Sequence, residues 1–163
     1  MSDDRDAAPR NVPRWRQPEP GRLIGKGHPA GDFLGAYDWI VLEEAPGLLR
    51  VRATLSEQVK NPRGQLFGGF TPTYVDLVAL LTVRAGERRN AGGFRAWLAT
   101  TNMRIDYFEP IVSPAFVIES RMLKSRGRTR MVETRFFDPE DTLAVFALTT
   151  MREVPLDRPL GDV

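Results

Sequence analysis

The sequence predicts an α+β domain in which a single antiparallel sheet curls around one long helix. Three observations carry this: residues 68–86 form a helical stretch with almost no polar face, a strand hairpin precedes it, and four strand-like stretches follow it. A helix that is apolar on nearly every side must be enclosed. In a chain of 163 residues, room for one substantial core, a bending sheet supplies that enclosure.

The hairpin comes first. Tyr37 to Glu43 and Leu48 to Leu55 are strand-like, and Pro46-Gly47 is the turn between them. In the second strand Leu49, Val51, Ala53 and Leu55 alternate with Arg50, Arg52 and Thr54, the period of a sheet with one buried and one wet face. Residues 56–66, with Asn61, Pro62 and Gly64, read as a loop. The helix then runs from Gly68, with Pro72 in the first turn, where its missing N–H is not needed, to Gly86 as the stop. After a link at residues 87–93, strands are predicted at Ala96 to Phe108, Ala115 to Ser125, Arg128 to Phe137 and Leu143 to Val154. Pro110 and Pro114, then Gly127, then Asp138-Pro139 separate them.

Residues 1–22 place Pro9, Pro13, Pro18 and Pro20 among charges, a composition that buries too little apolar area to offset the cost of ordering it. They are expected to form a disordered N-terminal arm, with Trp15 as the one residue suited to docking, and residues 23–163 a single domain. The arm has no apolar core of a signal peptide, and no apolar run approaches the roughly 18–20 residues needed to span a bilayer. The chain has no cysteine, which removes disulfides and thiolate nucleophiles, so a cytoplasmic location without membrane association is expected. His28 is the only histidine, which excludes a metal site built from several; no metal is expected, and His28 is assigned to the surface.

The formal charge is +2, but Arg121, Lys124, Arg126, Arg128 and Arg130 follow closely on one another. Such a stretch either meets phosphate or is the solvated face of a strand pair. No recognition helix or RNA-binding signature accompanies it, so no nucleic-acid partner is expected.

Asp76 asks for an explanation. Its helical neighbours at three and four positions, Pro72, Thr73, Ala79 and Leu80, include no basic partner. A carboxylate there faces a cavity, a subunit interface or the helix's one wet strip; otherwise it costs several kcal/mol of desolvation. The preceding Gly68-Gly69 lets the backbone approach a ligand, and a helix start presents unpaired N–H groups with partial positive charge. Together these offer an anion holder and a base or nucleophile on one element.

Asn61-Pro62-Arg63-Gly64-Gln65-Leu66-Phe67-Gly68-Gly69, followed by Asp76, resembles the active-site segment of hotdog-fold acyl-CoA thioesterases of the phenylacetate-pathway (PaaI-like) type, which typically read Asn-x-x-Gly-x-x-His-Gly-Gly with an acidic residue on the long helix. The stretch Thr100-Thr101-Asn102-Met103-Arg104-Ile105-Asp106-Tyr107-Phe108-Glu109-Pro110 is similar to the family's third strand and closing proline turn, and the likeness spans roughly residues 33–153. The resemblance implies a hotdog fold, with Asp76 as nucleophile or general base, the Gly68 N–H as oxyanion donor, and Asn61 and Thr100 orienting water or the carboxylate. Phe67, Gly69, Arg126, Arg128 and Thr129 are the candidate contacts to an acyl-CoA substrate; the basic hairpin around Arg126, Arg128 and Arg130 is the candidate holder of its nucleotide phosphates, and spacing alone singles out no particular arginine. The resemblance implies no cofactor beyond that substrate, and a homodimer, or a dimer of dimers, whose site takes Asp76 from one chain and Asn61 and Gly68 from the other.

Phe67 departs from the pattern, standing where the family has His, and phenylalanine neither donates nor accepts an ordinary hydrogen bond. Its ring either packs at the turn or lines the acyl pocket. Three functions follow from these residues: hydrolysis of an acyl-CoA thioester, a non-catalytic acyl-CoA binding module that has lost the family's His, and hydration of an enoyl-CoA, for which a helix-borne Asp/His pair is missing.

Overall fold

The computed structural model describes residues 13–85 and 96–155. A short 3₁₀ turn, Arg14–Arg16, leads to helix α1 (Pro29–Leu34), strands β1 (Ile40–Ala45) and β2 (Leu48–Thr54), helix α2 (Thr71–Val83) and strands β3 (Ala96–Tyr107), β4 (Ala115–Arg126), β5 (Thr129–Phe137) and β6 (Leu143–Pro155). The strands form one antiparallel sheet in the order β1-β2-β4-β5-β6-β3, so β1 and β3 are its edges. Strands β2 to β6 all contact α2.

The alternation read in β2 is the observed one, with Leu49, Val51 and Ala53 fully buried. Gly47 adopts φ 72° in the hairpin turn and Gly127 φ 54° between β4 and β5, left-handed conformations in which glycine carries no Cβ penalty. The first strand begins later than the sequence suggests. Gly35, at φ 69°, ends α1 and opens a second 3₁₀ turn at Ala36–Asp38, and this displaces the strand start from Tyr37 to Ile40. Helix α1 itself was not predicted, because six residues rich in Gly and Pro show too little periodicity.

The long helix also starts later. Gly68–Phe70 wind as a 3₁₀ turn, and α-helical geometry begins at Thr71 with Pro72 in the first turn. Two glycines are poor helix formers, and the tighter turn satisfies the Gly68 carbonyl through the Thr71 N–H. The last helical residue is Val83; Gly86 and the link at residues 87–93 lie outside the described residues.

Residues 1–12 of the expected arm lie outside the described residues, while residues 13–22 rest on the domain. The Gly25 N–H donates to the Trp15 carbonyl at 2.9 Å, the Trp15 ring meets His28 edge-on at 5.1 Å, and Arg22 bridges to Ile40. Gly25 is where this close approach needs glycine, since an added Cβ collides with the Arg14 backbone.

The centre of the core is aromatic. Trp39 stacks on Tyr74 at 5.2 Å, Tyr74 meets Phe116 at 5.6 Å, and Phe116 meets Phe136 at 5.5 Å, all four essentially inaccessible. The polar ends find partners: the Tyr74 hydroxyl donates to the Thr54 carbonyl at 3.0 Å and the Trp39 indole N–H to the Thr54 hydroxyl at 3.2 Å. Burial of the Tyr74 phenol pushes its pKa far above the ordinary value. A long helix held in a curled antiparallel sheet is the hotdog arrangement that the sequence predicts.

Candidate active site

On α2, Tyr74, Val75, Leu77, Val78 and Ala79 are buried, whereas Pro72, Thr73, Asp76, Leu80 and Val83 are half-exposed. The latter recur at three- and four-residue steps, so they form one strip along the helix. Asp76 sits in the middle of it. Its hydrogen bond comes from the Thr100 hydroxyl, which meets Oδ1 at 2.5 Å, and among the described residues no cation pairs with it. Helix and sheet thus bring together two of the predicted site residues, 24 positions apart.

Thr100 reaches the helix because of an irregularity in β3. Met103 and Ile105 pack on the core, and simple alternation from them would turn Thr101 inward and Thr100 outward. The register with β6 instead pairs Thr100 with Met151 and Asn102 with Thr150, leaving Thr101 as an extra residue. This bulge reverses the parity of the strand: Leu98 becomes buried and Thr100 faces α2, while the Thr101 hydroxyl donates to the Thr150 carbonyl at 3.1 Å.

Gly68 and Gly69 open the 3₁₀ turn that leads into α2, and among the described residues neither N–H donates to a backbone or side-chain acceptor. Their position at the start of a helical segment explains this. Gly68 lines a cavity of about 290 Å³ together with Gln65, Leu66, Thr71, Tyr107, Phe108 and Glu109. The Tyr107 hydroxyl donates to the Gly68 carbonyl at 2.9 Å. Tyr107 received no role from the sequence, although it lies within the stretch that carries the family resemblance; its contact with a residue 39 positions away has no local signal.

Gly69 and Phe67 are not among the residues lining this cavity. The Phe67 ring stands beside Gly69, 2.8 Å from where a Cβ would be, and meets Phe70 at 5.7 Å, which in turn meets Phe33 at 5.5 Å. Of the two roles open to Phe67, packing at the turn is the one this geometry favours.

Asn61 organises its own loop. Its Oδ1 accepts from the Arg63 N–H at 2.9 Å and the Gln65 N–H at 3.1 Å, and its Nδ2 donates to Gln65 Oε1 at 3.2 Å. No hydrogen bond joins it to Asp76 or Thr100 among the described residues. Arg126, Arg128 and Thr129 are exposed at the tip of the β4–β5 hairpin; the Arg128 carbonyl accepts from the Glu153 N–H at 2.8 Å, while the guanidinium groups of Arg126 and Arg128 make no hydrogen bond or ion pair among the described residues. Arg130 differs from them, since it binds the Gly127 and Thr129 carbonyls and Glu153.

His28 is half-buried rather than a plain surface residue. Its Nδ1 accepts from the Gly31 N–H at 3.0 Å and caps α1, and desolvation lowers its pKa against the opposing pull of Asp32. Among the described residues no cluster of three or more His, Cys, Asp or Glu has the arrangement of a metal site, and no helix is long and apolar enough to cross a membrane.

Solved structures share this architecture at low sequence identity. A thioesterase from Haemophilus influenzae superposes with a TM-score of 0.65 at 12% identity, covering 79% of this chain and 85% of its own. A hypothetical thioesterase from Streptococcus pneumoniae, solved with coenzyme A, gives 0.63 at 16%, covering 74% and 89%. Zebra fish thioesterase superfamily member 2 gives 0.60 at 22%, covering 72% and 82%. No curated protein matches the chain. The profile of the thioesterase superfamily matches residues 63–145, a stretch that begins in the Asn61 loop and takes in the Gly68-Gly69 turn, Asp76 and Thr100. With half of its length matched, the chain belongs to the thioesterase superfamily.

Proposed function

We propose that this chain hydrolyses an acyl-CoA thioester to a free acid and coenzyme A, as an enzyme of the PaaI-like type. The observation that carries the proposal is the Asp76 carboxylate, held by the Thr100 hydroxyl on a half-exposed helix strip with no cation beside it among the described residues. A carboxylate so placed is free to act on substrate. As general base, Asp76 takes a proton from water as the oxygen attacks the carbonyl carbon; the C–S bond then breaks and the proton passes to the leaving thiolate. As nucleophile, it attacks the carbonyl carbon and the C–S bond breaks to release the CoA thiolate, leaving an acyl anhydride that water opens to the free acid and the Asp76 carboxylate. In either course the Gly68 N–H receives the charge that develops on the carbonyl oxygen.

Gly68 and Asp76 are eight residues apart on one continuous helical segment, a rise of roughly 12 Å. One thioester carbonyl does not touch both within a chain. This supports a homodimer whose sites combine Asp76 of one protomer with Gly68 and Asn61 of the other. It assigns Asn61 chiefly to shaping the loop before the oxyanion turn, because its carbonyl oxygen already accepts two N–H groups. The free guanidinium groups of Arg126 and Arg128 are suited to the nucleotide phosphates. The binding of coenzyme A by the Streptococcus pneumoniae protein and of acetyl CoA by a Streptococcus mutans neighbour supports the substrate class. The cysteine-free sequence fits a cytoplasmic enzyme.

Phe67 favours a second reading, a binding module without turnover. Thiol release against a panel of aliphatic and aryl acyl-CoA esters separates the two. The hydrolase releases free CoA and loses that activity in Asp76→Ala; tight acyl-CoA binding with no release above background defeats the hydrolase reading in favour of the module.

A further inference from the structure

We infer that Tyr107 is a positioning residue that sets the plane of the Gly68–Gly69 peptide and thereby makes the Gly69 N–H a second donor to the thioester carbonyl oxygen. The inference rests on the proposed hydrolysis and adds to the oxyanion site a group that the motif alone does not assign. The Gly68 carbonyl accepts two hydrogen bonds, one from the Thr71 N–H that closes the 3₁₀ turn and one from the Tyr107 hydroxyl at 2.9 Å. With both lone pairs engaged, the carbonyl has a fixed direction. A trans peptide is planar, so fixing this oxygen also fixes the N–H of Gly69 on its far side.

The same bonds polarise the peptide, since a carbonyl that accepts strongly leaves its own N–H a better donor. Glycine at both positions would otherwise leave this peptide free to rotate, because neither residue carries a side chain to hold it. Tyr107 is well placed to restrain it. Its ring lies 3.7 Å from the point where a Gly68 Cβ would stand, in ordinary contact. Its backbone is fixed at the end of β3 by pairing with Val145, and both Tyr107 and Val145 line the cavity beside Gly68. About half of the Tyr107 surface is exposed, so the hydroxyl contributes little to the core and its orientation toward Gly68 calls for another reason.

The Tyr107→Phe variant keeps the ring and removes only the hydroxyl. We expect kcat for acyl-CoA hydrolysis to fall about fivefold, as for the loss of one ordinary hydrogen bond in the transition state. The KM, and the affinity for an S-alkyl-CoA thioether that has no carbonyl, stay at the wild-type value. In ¹⁵N-labelled protein the Gly69 amide resonance moves more than that of Gly68, because the Gly68 carbonyl belongs to the Gly69 peptide. Unchanged kcat in a hydrolysing wild type overturns the assignment, as does a parallel loss in kcat, KM and thioether affinity, which marks ring packing alone. A stationary Gly69 resonance overturns it as well. If the wild type releases no CoA, the hydrolase reading fails and the Gly69 resonance alone decides the assignment, upholding it if it shifts and overturning it if it does not.

Discussion

Replacing Thr100 with valine removes the hydroxyl that meets Asp76 and leaves a side chain of nearly the same shape. Valine suits a strand as well as threonine does, and the Thr100 side chain is exposed, so the fold should tolerate the change with a Tm shift within about 2 °C. Function is expected to respond more. A hydrogen bond to a charged group contributes about 1.5–3 kcal/mol. Water reaches both partners here, which places the loss near or below the lower limit, about 1 kcal/mol, or about fivefold in kcat. Steady-state thiol release with a saturating acyl-CoA measures it, and Thr100→Ser is the control, since serine keeps the hydroxyl and should retain most of the wild-type kcat. Full activity in Thr100→Val would refute the view that the hydroxyl holds the carboxylate for chemistry. An equal loss in Thr100→Ser would assign the effect to strand geometry instead.

Other changes test the remaining links. Tyr74→Phe removes the donor to the part-buried Thr54 carbonyl, at a cost of about 1 kcal/mol, which appears as a lower midpoint in urea with an unchanged slope. The Arg126→Ala/Arg128→Ala double variant should raise KM several-fold for an acyl-CoA and leave it unchanged for the matching acyl-pantetheine, which lacks the nucleotide phosphates. His28 gives a pH test. Burial lowers its folded-state pKa below the usual 6.5, so the folded state binds fewer protons than the unfolded one; stability is fully present above about 6.5 and is lost as pH falls through the lower folded value. His28→Asn, which keeps a capping side chain, should flatten thermal stability over that interval, and an unaltered pH profile would remove His28 from the account.

Much of the fold was legible because its signals are local. Leu49, Val51 and Ala53 announce a half-buried strand by their period, Gly47 and Gly127 mark turns, and the apolar run from Tyr74 to Val83 specifies a helix that needs enclosing. Asp76 stood out in the sequence for the same reason, as a charge without a local partner. What was not legible depends on distant parts of the chain. Thr100 and Thr101 have identical propensities, and only the pairing of β3 with β6 decides which of them faces the helix. Tyr107 gains its meaning from where the strand ends relative to Gly68, and Asn61, whose turn chemistry the Asn-Pro-Arg-Gly sequence announces, directs its side chain into its own loop. The short helix α1 was missed because its stop at Gly35 and its cap at His28 are written in residues that also mark ordinary turns.

The polar contact made by Tyr74 has a consequence for how the helix is indexed. A cylinder that is apolar on nearly every side gains similar burial at several rotations about its axis, so the hydrophobic effect by itself selects that angle weakly. Each one-residue slip turns an α-helix by about 100°. The Tyr74 hydroxyl, keyed into the carbonyl at the end of β2, accepts only one of these settings without leaving a buried polar group unmet. Two residues further along, that setting presents Asp76 to Thr100. A hydroxyl within the core thereby acts as a rotational key that determines which way the half-exposed carboxylate points.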